Sequence, residues 1–165
     1  MLTKIVFLET NALYSLGPRL ENVDFATLQA FCKLLNVDLL VAETSWQEYL
    51  RHRKKELSDC LSRNKQNHSM LEKHSQTVEL VDKTHEQISE SLRTLNERNG
   101  QMAQAIGLKV VPVPPMDVRV LLDMSLASEP PFEYLQNDSG EKTKEKGFRD
   151  AAIMFTMLDA VGMTC

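Results

Sequence analysis

Three acidic residues far apart in the chain, Glu9, Glu48 and Asp150, each fall where one structural element gives way to another. Glu9 closes the apolar run Ile5-Val6-Phe7-Leu8 and is followed by Thr10-Asn11, so a buried strand delivers a carboxylate to its C-terminal tip, where open parallel sheets hold their ligands. Carboxylates converging from separate elements can hold two divalent cations ~3.5–4 Å apart, activate a water and stabilise the leaving oxygen of a phosphodiester displacement. Hard Mg²⁺ or Mn²⁺ suits such all-oxygen donors. Each acid also has a plainer reading: a loop residue after a strand, a solvated helix residue, or a first-turn acid favoured by the helix dipole. Asn11 is placed to orient Glu9 by hydrogen bonding, or else is a turn residue.

Basic residues flank the acids. Arg51-His52-Arg53-Lys54-Lys55 follows Glu48, and Lys142, Lys144, Lys146 and Arg149 precede Asp150. Arg51, Arg53, Lys54, Lys146 and Arg149 could hold a phosphate backbone on either side of the carboxylates, and the alternative is a solvated charged face. Other chemistries find no support. Cys32, Cys60 and Cys165 have no ligand spacing, the histidines form no zinc pattern, and neither Cys60 nor Ser45 has a His and an acid at interpretable spacing. There is no P-loop and no dinucleotide-binding glycine motif.

The elements that must position these residues can be read from the 165-residue chain as one domain. Residues 4–9 read as a buried strand, with Gly17-Pro18 punctuating the loop behind it. Asp24 can cap a helix whose apolar face is Leu28, Phe31, Leu34 and Leu35, ending near Asn36. Asp38-Leu39-Leu40-Val41-Ala42 is a second strand, and a strand, helix, strand unit implies parallel pairing. Residues 45–106 then form a helical arm inserted in the core, Trp46 anchoring its base. Its coiled-coil-like seam passes through Leu50, Arg53, Leu57, Cys60, Asn64, Asn67 and Leu71, and through Ile88, Leu92 and Leu95 on the return. The polar centre at residues 62–69 predicts the turn of an antiparallel hairpin, and Asn99-Gly100 a helix end. The chain returns as a strand at 108–113, then a helix at 117–127, a polar loop at 137–146, and a strongly apolar helix after Gly147-Phe148-Arg149-Asp150.

The net charge of −4, from 23 acidic and 19 basic residues, argues against a general nucleic-acid coat and leaves only a local patch. No apolar run approaches the ~20 residues of a membrane span, so no membrane partner is expected. The unpaired cysteine usage fits a reduced, cytoplasmic setting.

Three segments carry a family resemblance: Val6-Phe7-Leu8-Glu9-Thr10-Asn11, Val41-Ala42-Glu43 through Gln47-Glu48, and Gly147-Phe148-Arg149-Asp150-Ala151. They resemble the PIN domain's strand ending in Asp-Thr-Asn, its strand-to-helix segment with a metal-binding Glu, and its helix-opening Gly-Phe-Arg/Lys-Asp. The chain is most similar to PIN-like proteins with a long helical insertion. The resemblance implies a three-layer α/β sandwich with a mainly parallel sheet. It also implies an endoribonuclease dependent on Mg²⁺ or Mn²⁺, of a kind often found in toxin or antiviral systems, with Glu9, Glu48 and Asp150 as metal ligands and RNA as partner. Two departures set further expectations. Glu9 stands where the family has Asp, one methylene longer and able to displace a ligand by ~1 Å, enough to weaken or abolish activity. The family's C-terminal strand, with a fourth acid in a Ser/Thr-x-Asp segment, has no counterpart here, so the chain is expected to be truncated relative to a full PIN domain. The edge of strand 4–9 is then expected to be covered by a homo-oligomer or protein partner. The alternative function is a non-catalytic interaction or oligomerisation module using the arm.

Overall fold

The computed structural model describes residues 4–16, 23–73, 79–97, 99–136 and 142–162. In chain order the elements are β1 (Ile5–Leu8), α1 (Thr10–Ser15), α2 (Val23–Leu35), β2 (Asp38–Ala42), α3 (Glu43–Lys73) and α4 (Glu79–Glu97). They continue with α5 (Asn99–Ala105), β3 (Lys109–Val111), α6 (Val118–Leu126), β4 (Glu133–Gln136), β5 (Lys142–Lys146) and α7 (Phe148–Ala160). The result is an α/β fold in which a parallel sheet of order β1-β2-β3 carries helices and a long helical insertion.

The sheet follows from the apolar runs. Val6 faces Leu39, Leu8 faces Val41, and Ala42 faces Val111 in all-parallel register. β2 is buried from Leu39 to Ala42, as expected of a central parallel strand covered on both faces. The chain passes from β2 into α3 without a loop. α3 turns Trp46, Tyr49 and Leu50 into the core beside Leu8, Leu13, Phe25 and Leu108.

Five sequence expectations are corrected. Asp24 lies inside the first turn of α2, not before it. The buried stripe of that helix runs through Phe25 and Cys32, with Leu28 packed against the core, while Phe31, Leu34 and Leu35 are exposed. So many of the α2 positions are apolar that periodicity cannot decide which stripe meets the sheet. Third, α3 continues through residues 62–69 to Lys73, because this stretch has no glycine or proline and most of its polar residues are exposed, leaving only Asn64 and His68 on the seam. Its seam runs Leu57, Leu61, Asn64, His68, Leu71, replacing the expected Cys60 and Asn67, which are exposed. His68 Nε2 pairs with Asp82 across the two arms at 3.0 Å. Fourth, Asn99 and Gly100 open α5 instead of ending a helix. Fifth, the polar segment expected as a loop to Lys146 contains β5, antiparallel to β4, with Glu133 opposite Lys146 and Leu135 opposite Lys144. The expectation at Gly17-Pro18 lies outside the described residues, as do residues 163–165.

Candidate functional site

Thr10, buried to 4 % exposure, begins α1 directly after β1, with Glu9 in the N-cap position. An aromatic brace fixes α1 against α3. Tyr14 meets Tyr49 at 5.9 Å between ring centroids and His52 edge-on at 5.2 Å, while Tyr49 stacks on Trp46 at 5.5 Å. With the two helices so held, Thr10 Oγ1 donates to Glu48 Oε2 at 2.9 Å. Burial, followed by the Glu48 charge, raises the Tyr14 hydroxyl above the usual tyrosine range.

Asp150 is brought in by the start of α7, and Gly147 sets where that helix begins. Its φ of +124° lies in the left-handed region, and a Cβ there would fall 2.5 Å from the Pro131 carbonyl oxygen and 2.6 Å from Phe132 Cα. Glycine is therefore required for backbone approach, not for a turn alone. Phe148 then stands edge-on to Phe132 at 4.9 Å, and small buried residues, Ala151 and Ala152, let α7 pack on α3 and β2.

Glu48 and Asp150 meet through Arg149. Its Nη1 donates to Glu48 Oε1 at 2.6 Å, while Nη2 and Nε donate to Asp150 Oδ1 at 3.1 and 3.2 Å. Both Glu48 oxygens are thereby engaged, one by Thr10 and one by Arg149, and the Glu48 side chain is only 13 % exposed. Burial lowers the Arg149 pKa, but the hydrogen bond and charge of Asp150 and those of Glu48 outweigh it, so the guanidinium is held above its ordinary value. Glu9 is exposed, and Asn11 Nδ2 donates to its two oxygens at 3.2 and 3.5 Å.

Beside Arg149 lies an open cavity of about 320 Å³ lined by Thr44, Gln47, Glu48, Arg51 and Arg149. The Thr44 hydroxyl itself is buried from solvent and has no hydrogen-bond partner. Lys54 stands one turn beyond Arg51 on the same face of α3. Arg53 points elsewhere and pairs with Glu56. The Lys146 side chain lies outside the described residues. A larger cavity, about 490 Å³ between Trp46 and the α5–β3 turn, holds none of the three acids.

Sequence reasoning grouped Arg149 with the phosphate-binding cations and gave Thr10 no role. The structure engages Arg149 with carboxylates and makes Thr10 the link from β1 to Glu48. The signal for Thr10 was its place between Glu9 and Asn11; the partner of its hydroxyl, 38 residues away, was not legible.

A PIN domain family model matches residues 6–162. No curated protein and no solved structure matches the chain. PIN domains have a nuclease-type fold, in general dependent on a divalent metal and suited to RNA. The residues present fit such an ion in donor chemistry: carboxylates from Glu9, Glu48 and Asp150 with the Thr10 hydroxyl and Asn11 amide nearby, all hard oxygens. A cation already neutralises two of them, in the form of Arg149. In the arrangement described, the acids are not gathered on one point: no set of three acids, histidines or cysteines among the described residues stands close enough to hold a metal ion. With the match covering almost the whole sequence, and with the Glu9-Thr10 strand end, Glu48 and Asp150 set around the parallel sheet, the chain belongs to the PIN domain family.

Proposed function

We propose that this PIN domain is a metal-dependent endoribonuclease whose ion is held by Glu9, Glu48 and Asp150 as Mg²⁺ or Mn²⁺. The observation that carries the reading is the junction of Glu48 and Asp150 at one guanidinium, next to a cavity lined by Arg51 and Arg149. When bound, the ion supplies activation of water and neutralisation of charge on the leaving oxygen. The chain's own residues do the positioning. Thr10 fixes the Glu48 carboxylate, Asn11 orients Glu9, and Arg51 with Lys54 offers a cationic track for the phosphate backbone. Arg53, tied to Glu56, contributes less to that track.

Glu9, longer than the family's Asp, favours a weakened enzyme. The second reading, a non-catalytic module that binds partners through the arm, is favoured by the engagement of Glu9 with Asn11 and of the other two acids with Arg149. The side of β1 away from β2 carries no strand among the described residues, and a homo-oligomer or protein partner would add one there.

Labelled RNA incubated with Mn²⁺ separates the two. The expected result is slow cleavage that Asp150→Asn lowers by at least about a hundredfold, and that Glu9→Asp raises by up to a similar factor as the carboxylate regains its reach. Silence from all three chains defeats the nuclease reading and leaves the interaction module.

A further inference from the structure

Arg149 holds a position that a metal ligand cluster does not require. Its guanidinium lies between Glu48 Oε1 and Asp150 Oδ1, the oxygens a divalent cation would need, and it also lines the open cavity with Arg51, Thr44 and Gln47. The side chain is 53 % exposed, so it can leave the carboxylates without disrupting the core. We propose that Arg149 is a built-in competitor for the metal site: a divalent cation must displace it from Glu48 and Asp150, and the displaced guanidinium then binds a substrate phosphate in the adjoining cavity. This rests on the metal-dependent nuclease reading and adds to it a coupling between ion and substrate.

The cation and the guanidinium cannot both use the same carboxylate oxygens, so each lowers the other's occupancy. A guanidinium released from two carboxylates needs another acceptor, and a phosphate matches its fork of donors. In the cavity, the Arg51 charge stands ready to share that phosphate. Metal and phosphate then promote each other's binding by the same factor, since coupling between two equilibria is reciprocal. The metal-free enzyme keeps its strongest phosphate ligand occupied by its own acids, so it binds RNA weakly until an ion arrives.

The test measures Mn²⁺ binding by electron paramagnetic resonance, with and without adenosine 5′-monophosphate as an uncleavable phosphate, against protein-free controls. Arg149→Ala is expected to bind Mn²⁺ about tenfold tighter than the unaltered chain and to show no response to the nucleotide, whose presence tightens Mn²⁺ binding in the unaltered chain. Arg51→Ala removes the same charge from the same cavity without touching the carboxylates, and leaves Mn²⁺ affinity alone near the unaltered value. Arg149→Lys, which keeps the charge but loses the fork, falls between and guards against a folding defect in the alanine variant. Equal tightening in Arg149→Ala and Arg51→Ala overturns the proposal, as does no tightening in Arg149→Ala, while the nuclease reading survives either. Absence of Mn²⁺ binding in every chain removes the nuclease reading and the proposal together.

Discussion

At the scale of single residues, Thr10 shows how one buried hydroxyl fixes a carboxylate on another element. Its hydroxyl holds one Glu48 oxygen while Arg149 holds the other, so the carboxylate is fixed from both sides in a mostly buried position. Thr10→Val keeps the volume and removes the donor. It is expected to lower stability by about 1–2 kcal/mol, because a largely desolvated carboxylate oxygen loses its partner; urea unfolding monitored by Trp46 fluorescence checks this. The opposite outcome, an unchanged midpoint, would mean that water replaces the hydroxyl at no cost. Glu9 is the contrasting case: exposed and, among the described residues, bound by the Asn11 amide, it is free to be exchanged for Asp with little effect on folding.

At the scale of elements, the site depends on where helices begin. α7 starts at Gly147 because no other residue allows the backbone so close to Pro131 and Phe132. Gly147→Ala must move either the helix start or the 131–132 backbone, and is expected to cost about 2–3 kcal/mol through strain and overpacking. A thermal melt several degrees lower, together with loss of RNA cleavage, is the expected result. The strands and the acids at their ends were legible because Ile5-Val6-Phe7-Leu8 and Leu39-Leu40-Val41 are short apolar runs that only a buried strand explains. The β4–β5 pair was not, because Lys142-Thr143-Lys144-Glu145-Lys146 has no apolar alternation and, Thr143 apart, only residues depleted in strands, and pairing with residues 133–136 imposes its conformation. The buried face of α2 was misread because Phe31, Leu34 and Leu35 are as apolar as Phe25 and Leu28, and only tertiary packing chose between them. The engagement of Arg149 was hidden for a different reason: a basic residue next to an acid is equally a phosphate ligand or an ion-pair partner, and the choice was made by Glu48, 101 residues away.

At the scale of the whole molecule, the arm stands between two strands that pair. β2 precedes it, β3 follows it, and the α3–α4 hairpin spares the chain from closing residues 43–108 as a flexible loop. Leu61→Asp combined with Leu92→Asp places charge on the half-buried faces of α3 and α4 and is expected to loosen the arm. Hydrogen exchange then rises in the arm and also at Lys109–Val111, although neither substitution touches the sheet. Exchange confined to the arm would show that β3 is held independently of it.

The docking of α7 on α3 and β2 also has a consequence in time. Glu9 and Glu48 leave the ribosome well before Arg149 and Asp150, with most of the arm made in between. Domains fold from the N-terminus as they are synthesised, at about 5–20 residues per second. A nascent chain can therefore complete its central helices while still lacking two charges of the cluster, so whatever the site does is withheld until synthesis of this segment is finished.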